Sequence, residues 1–337
     1  MIFAVSCVKG ITEAQDDFDS QSVQTEFFTS SEMDEILLGF RRFGFMVRAF
    51  FSEDDFIQFV HSPAFRENHH RYKLVYNTAH SGTGPGRKAL LPSFCALHKI
   101  PITGSDAYCV SLARHKFHVA CLLQHFDLPA PETWFYLPHY GWLDAKRPQN
   151  GSRVIAKLTY ESASIGLDSD SAFTVDHTME ARLNYLANSF RQPVTVQAFV
   201  SGWEVEVPVI VADRYYVPMA VGISKNERRL LGDTFLTYHD VFADDYGFWC
   251  FEENSANLAR LLENTAARVA ALLGLKGFAR IDYRISKDGA PFITDISTSP
   301  HITSHSSYGF LFNILKRDLH ELPVVLAATA SQREQWI

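Results

Sequence analysis

At 337 residues, 47% hydrophobic and 20% charged, the chain carries enough apolar material for a large core split between two or three domains. Its 38 acidic against 31 basic residues leave a formal charge of −7 with no basic run, which argues against a nucleic-acid or acidic-membrane binder and for small-molecule partners. Five scattered cysteines, Cys7, Cys95, Cys109, Cys121 and Cys250, form no C-x-x-C pair and fit reduced thiols in a cytoplasm.

The apolar opening MIFAVSCV is too short to span a membrane and lacks a basic start, so it reads as a first strand. After a polar stretch, SSEMDEILLGFRRF has a helical stripe of Ile36, Leu37, Phe40 and Phe43, with Ser30 or Ser31 as cap and Gly44 as stop. A second strand FMVRAFF, a charged helix near Glu53 to Val60 and a third strand KLVYNT follow. Strand, helix, strand, helix, strand predicts a parallel α/β unit. The Gly-rich loop AHSGTGPGRKALLPSF comes after the third strand, where such sheets bind ligands. It matches neither a Walker A loop nor a Rossmann fingerprint, and plain turn chemistry also explains it.

Further on, Val119, Leu122, Leu123 and Phe126 predict a helix ended by DLPAPE. Strand patterns occupy VIAKLTY, VTVQAFV, WEVEVPVIVA and YYVPMAVGI, then a helix is expected over Asn257 to Leu273. The strands FARIDYRI and PFITDIS, joined by SKDGA, form a hairpin with an Asp288-Gly289 turn. A closing helix is expected over Phe310 to Leu326.

Three segments bear chemistry. In VIAKLTYESASIGL, Lys157 sits within an apolar strand and precedes the small-residue loop Glu161 to Gly166. A lysine there needs an anionic partner, and such a loop lets backbone N–H groups approach a phosphate; the alternative is a lysine snorkelling at a strand edge. In the hairpin, period two puts Arg280 and Asp282 on one face of one strand, and Asp295 and Ser297 on one face of the next. Two facing carboxylates call for a cation between them, which Mg²⁺ on ATP phosphates supplies; a solvated salt bridge of Arg280 with Asp282 or Asp295 is the alternative. The third segment, DISTSPHITSHSS, surrounds one carboxylate and two histidines with hydroxyls.

That third segment, Asp295-Ile296-Ser297-Thr298-Ser299-Pro300-His301-Ile302-Thr303-Ser304-His305-Ser306, resembles the active-site strand and loop of the D-alanine-D-alanine ligases of the ATP-grasp superfamily. IPITGSDAYCVSLARHK, VIAKLTYESASIGL and VQAFVSGWEVEV are similar to that family's further motifs and stand in its order, so the resemblance runs from about Ile100 to Ser306. It implies an ATP-grasp fold, α/β overall and α+β in the C-terminal half, with an N-terminal parallel α/β domain. The expected divisions are an N-terminal domain 1–104, a central ATP-grasp subdomain 105–195 and a C-terminal catalytic domain 196–337.

The resemblance also assigns residues. Lys116, Lys157, Glu161, Ser164 and Lys225 would serve ATP phosphates, Gln197 and Val200 adenine, and Glu204 ribose. Asp282, Asp295 and Ser297 would hold Mg²⁺, and Arg280 the acyl phosphate. Ser306, His301 and Glu26 would face the amino-acid substrates, with Glu13 competing with Glu26 and His80 near the first substrate. Asp295 and Ser297 are shorter than the family's Glu and Asn, His301 replaces a glycine, and Ala163 removes a hydroxyl. These departures suggest substrates other than two D-alanines. SKNERRLLGDTFLTYHDVFADDYGF replaces the family's mobile loop, where Lys225, Arg228 and Arg229 could reach phosphate or lie on the surface, and Tyr238 or His239 could face substrate. His305 reads as a structural hydrogen-bonder. The leading expectation is an ATP- and Mg²⁺-dependent carboxylate-amine ligase of the cytoplasm, with a homodimer left open. A nucleotide-binding pseudo-ligase with a sensing or scaffolding role is the alternative.

Overall fold

The computed structural model describes residues 1–14, 18, 21–67, 70 and 72–331. Three sheets succeed one another along these residues. The first is parallel, ordered β2-β1-β3, and consists of β1 (Ile2–Ser6), β2 (Val47–Phe50) and β3 (Leu74–Thr78). Every residue of β1 is buried, as expected of a central parallel strand covered on both faces. Helix α1 (Ser30–Arg42) makes the first crossover, and α2 (Glu53–His61) with α3 (Pro63–Arg66) the second.

The cap of α1 is Thr29, one residue before the two serines expected. Its hydroxyl accepts from the Glu32 N–H while the Glu32 carboxylate accepts from the Thr29 N–H, so two otherwise orphaned donors are satisfied reciprocally. Ile36, Leu37 and Phe40 are buried, but Phe43 is 48% exposed because the helix has ended at Arg42 and Gly44 turns the chain at φ 80°.

Helices α4 (Leu90–Leu97), α5 (Ala107–Arg114) and α6 (Lys116–His125) lead to a second, antiparallel sheet. Its strands β4 (Thr133–Leu137), β5 (Gly141–Trp142), β6 (Arg153–Leu158), β7 (Ala172–Thr174) and β8 (Val194–Ala198) run in the order β5-β4-β8-β6-β7. Helix α7 (Met179–Ser189) covers it through Met179, Leu183 and Ala187, which stand four residues apart on one helix face.

The third sheet is also antiparallel, with order β12-β11-β9-β13-β14 and β10 beside β9. It contains β9 (Gly202–Val211), β10 (Tyr215–Tyr216), β11 (Val221–Ser224), β12 (Gly247–Cys250), β13 (Gly277–Ser286) and β14 (Pro291–Ser297). The single strand expected over Tyr215 to Ile223 is therefore two strands, with Pro218 in the gap, a residue that cannot donate to a ladder. Helix α8 (Tyr238–Ala243) lies between β11 and β12, and α9 (Ala256–Leu273) packs Leu262, Ala266 and Val269 against Val205, Val207 and Ile281.

The closing helix is broken. α10 (Ser307–Ile314) and α11 (Leu322–Ser331) flank a turn in which Lys316 adopts a left-handed φ of 53°, and Pro323 occupies the first turn of α11. Both helices join the core of the first sheet: Ile2, Ala4 and Phe40 share one cluster with Tyr308, Leu311 and Leu326. The buried Tyr308 hydroxyl bonds the backbone of Val209 and Ala279, fixing the loop after β14 over the third sheet. Gly309 is required there, because a Cβ would stand 2.3 Å from the Thr303 carbonyl oxygen. Among the described residues no helix is long and apolar enough to cross a membrane.

Candidate active site

The loops after β3, β6 and β14 and the strands β9 and β13 enclose a cavity of about 460 Å³. The β13–β14 register pairs Arg280 with Ser297 and Asp282 with Asp295, so the four residues expected to face one another do. Arg280 donates from Nε and Nη2 to the two oxygens of Asp282, at 2.7 and 2.8 Å, and its Nη1 lies 3.0 Å from Glu206 Oε1. Glu206 is opposite Asp282 on β9. Burial pushes the Glu206 carboxyl up to about 7 even though Arg280 works against the shift.

Lys157 donates to the Thr294 carbonyl at 3.1 Å, and burial lowers its ammonium to about 8, with Asp295 opposing. Lys116 donates to the Glu161 carbonyl at 2.6 Å and lies 3.5 Å from Asp295 Oδ2. The repulsion between Asp282 and Asp295 is thus relieved by the protein's own cations, Arg280 on one acid and Lys116 on the other. The Arg280–Asp282 salt bridge is thus present, but it is partly buried and not the solvated pair of the alternative expectation.

In the loop after β6, Ala163 and Ser164 take successive left-handed conformations at φ 51° and 54°, which turns the backbone along the cavity wall. Ser164 Oγ donates to the Leu236 carbonyl at 3.1 Å. Glu161 is turned away: its carboxylate accepts from Arg87 and Gln192 in the interior, so only its carbonyl serves a residue of the site.

At the other end Gln197 is 3% exposed and its Oε1 has no partner, an acceptor ready for a donor such as the amino group of adenine. Arg284 ties this region together, donating to the Val200 carbonyl at 3.0 Å, to Glu204 at 3.1 Å and to the carbonyls of Gly232 and Thr234. Lys225 does not line the cavity; it pairs with Asp240 at 2.6 Å, and Arg229 pairs with Glu253 at the surface. Residues Leu236, Val241 and Phe242 of the same segment do line it, and Tyr238 meets Thr25 of the N-terminal region at 3.0 Å between hydroxyl oxygens.

At the N-terminal wall, Glu26 is buried with Lys88 Nζ and Arg87 Nη2 each 3.1 Å from its Oε2 and His80 Nε2 at 3.3 Å. Burial raises the Glu26 carboxyl, but Lys88, Arg87 and Arg114 outweigh it and hold the group well below the usual range. Burial with Lys88 nearby drops His80 to about 3, so it is neutral. Ser306 caps α10, donating to the Thr303 carbonyl and accepting from the Gly309 N–H, while still lining the cavity. His301 packs on Phe28 at 4.9 Å. His305 spans Asp244 at 2.6 Å and the Tyr246 carbonyl at 3.0 Å, the structural role expected of it.

Sequence reasoning missed Arg87, Lys88, Arg114, Glu206 and Arg284. Glu206 had a signal: it follows Glu204 by two in a strand and must share its face. Arg87 and Lys88 lay in a loop read only for its glycines.

Among the described residues no group of three or more His, Cys, Asp or Glu side chains is arranged to hold a metal ion. The all-oxygen set of Asp282, Asp295 and Ser297 nevertheless fits Mg²⁺, which binds through one or two carboxylates, waters and phosphates. Gln197 Oε1 and Lys157, which line the cavity, likewise fit ATP, whereas Lys116 is not among the lining residues and lies against Asp295 and the Glu161 carbonyl.

This architecture, an N-terminal parallel unit followed by two antiparallel sheets around a cavity lined by lysine, arginine and carboxylates, is that of an ATP-grasp enzyme. The chain covers 99% of a Bacillus anthracis D-alanine-D-alanine ligase crystallised with ATP, and is itself 99% covered, at TM-score 0.71 and 12% identity. The VanG D-Ala:D-Ser ligase of Enterococcus faecalis matches 96% of this chain, with 97% of its own covered, at TM-score 0.66 and 14% identity. In sequence, a D-alanine-D-alanine ligase of Ralstonia nicotianae is 28% identical over 239 residues, 69% of this chain and 68% of the relative. One of Bordetella pertussis is 25% identical over 246 residues, 73% and 75% respectively. The family model described as D-ala D-ala ligase C-terminus matches residues 125–316. The chain belongs to the D-alanine-D-alanine ligase family of ATP-dependent carbon–nitrogen ligases.

Proposed function

We propose that the protein joins two amino acids or close analogues, not a pair of D-alanines, in an ATP- and Mg²⁺-dependent reaction of the cytoplasm that proceeds through an acyl phosphate. The observation that carries this reading is convergence: Lys157, the left-handed Ala163-Ser164 turn, Arg280, Asp282 and Asp295, from separate sheets and loops, face one cavity with the unpaired Gln197 acceptor. The divisions 1–104, 105–195 and 196–337 are proposed as its domains; they follow the order of the three sheets, although the second boundary falls inside β8 (Val194–Ala198) of the second sheet.

In this mechanism Lys116 and Lys157 place positive charge at the phosphates, and Gln197, Val200 and Glu204 hold the nucleoside. Asp282, Asp295 and Ser297 would hold Mg²⁺, which would supply positive charge beside the phosphoryl oxygens. Arg280 presents a planar fork to oxygen atoms that gain charge as the carboxylate is activated and then attacked by the amine. Leu236 and Val241 present apolar surface to the cavity that would help exclude water from the activated acid. Ser306 and His301 shape the space for the second substrate. Lys225 reaches a phosphate only by leaving Asp240.

ADP release on adding mixtures of amino acids together with their N-acyl and 2-hydroxy analogues tests the reading, with products identified by mass spectrometry. One observation favours a second reading: Arg280 already bonds both oxygens of Asp282, so a metal there would have to share those oxygens with a cation. Nucleotide binding with no ADP release from any mixture would establish a non-catalytic nucleotide binder instead.

A further inference from the structure

The wall around Glu26 has a charge balance unsuited to an α-ammonium group. Glu26 is the residue that the family resemblance assigns to the amine of the first substrate, yet its Oε2 is already shared by Lys88 and Arg87 at 3.1 Å. Behind them Arg87 also holds Glu161, and Arg114, 6% exposed, brings its guanidinium to 3.8 Å from that second carboxylate without a hydrogen-bond partner on any of its three nitrogens. Three cations thus face two carboxylates, and His80 between them is neutral. Lys88 reaches the cavity itself, with Nζ also 3.2 Å from Ser162 Oγ. Glu32 and Lys9 line the same end as an opposite pair, and Glu32 is committed through Oε2 to the Thr29 N–H and hydroxyl.

We propose that the first, phosphate-accepting substrate is a carboxylic acid with no ammonium beside its carboxyl, its α-nitrogen acylated or replaced by a hydroxyl. A free ammonium placed at Glu26 would lie against the Lys88 and Arg87 charges in a desolvated pocket, where like charges repel strongly. A neutral amide or hydroxyl meets no such penalty: it donates to the unpartnered Glu26 Oε1 and accepts from Lys88. This assignment rests on the ligase reading of the cavity.

Hydroxylamine isolates the first half of the reaction. The acid takes the γ-phosphoryl group of ATP to give the acyl phosphate and ADP; hydroxylamine nitrogen then attacks the acyl carbon, phosphate leaves, and the hydroxamate is scored by its ferric complex. The probes are both enantiomers of alanine, N-acetylalanine and lactate, and each is also titrated calorimetrically with a non-hydrolysable ATP analogue and Mg²⁺ present. The expected result is activation of an N-acetyl or hydroxy acid at least about tenfold faster than either alanine, with the same order in binding. Lys88→Gln should narrow that ratio by roughly tenfold, whereas a merely structural role would lower all six acids alike. Faster activation or tighter binding of an alanine overturns the proposal, and loss of that preference in Glu32→Gln would show Glu32 to be the amine's partner. Hydroxamate from none of the acids would sink the ligase reading, while the binding order would still decide the proposal.

Discussion

Arg280 and Asp282, two residues apart on β13, face the same way and are joined by two hydrogen bonds of 2.7 and 2.8 Å, with Glu206 gripping the remaining nitrogen of the guanidinium at 3.0 Å. The arginine is held from both sides by acids, so its plane is fixed before any ligand arrives. Arg280→Lys should keep nucleotide binding, read by thermal shift, and lose roughly 10²–10³-fold in turnover, because an ammonium cannot reproduce the fork. Unchanged turnover would remove Arg280 from the chemistry.

Glu206 titrates near 7 in the folded protein, above the ordinary range of a glutamate. The folded state therefore binds more protons than the unfolded state between about pH 4.5 and 7, and this group's contribution to stability falls as pH rises through that window. Glu206→Gln should flatten the pH dependence of the melting temperature there and, by freeing one side of Arg280, lower turnover about tenfold. A melting profile that keeps its slope would contradict the assignment.

Lys157 is charged below about pH 8 and neutral above it in the free protein. Nucleotide affinity should therefore weaken as pH rises past 8, and binding at pH 8 to 9 should take up a proton, visible as a dependence of calorimetric heat on buffer ionisation. Lys157→Ala should weaken ATP binding roughly tenfold or more and abolish that uptake. Equal affinity in the variant would return Lys157 to a strand-edge role.

Without metal, ATP should raise the melting temperature only modestly, since nothing then bridges the phosphates to Asp282 and Asp295; with Mg²⁺ the rise should be clearly larger. Equal shifts with and without metal would count against the three-oxygen site.

The shorter side chains at Asp295 and Ser297 are read as an adaptation, in which waters complete the metal's shell. Asp295→Glu with Ser297→Asn should crowd a site already closed by Lys116 at 3.5 Å and reduce both Mg²⁺ affinity and ADP release. A gain of activity by an inactive parent would favour the non-catalytic reading.

What the sequence determined by itself was local and ordered. Period two in β13 and β14 placed Arg280, Asp282, Asp295 and Ser297 on one face, and the alternation of strands and helices announced the parallel N-terminal sheet, because side-chain direction and crossover topology follow from spacing along the chain. The same spacing was silent about partners from distant segments. Arg87 reaches Glu26 across 61 residues and Glu161 across 74, and that long-range pairing, not the identity of Glu26, sets the charge its substrate meets. Tertiary packing also turned Glu161 inward, tied Lys225 to Asp240 and folded α10 and α11 back onto the first sheet. Each of these outcomes depends on which charges and apolar faces are left to be satisfied once the sheets have met, a quantity no local pattern contains.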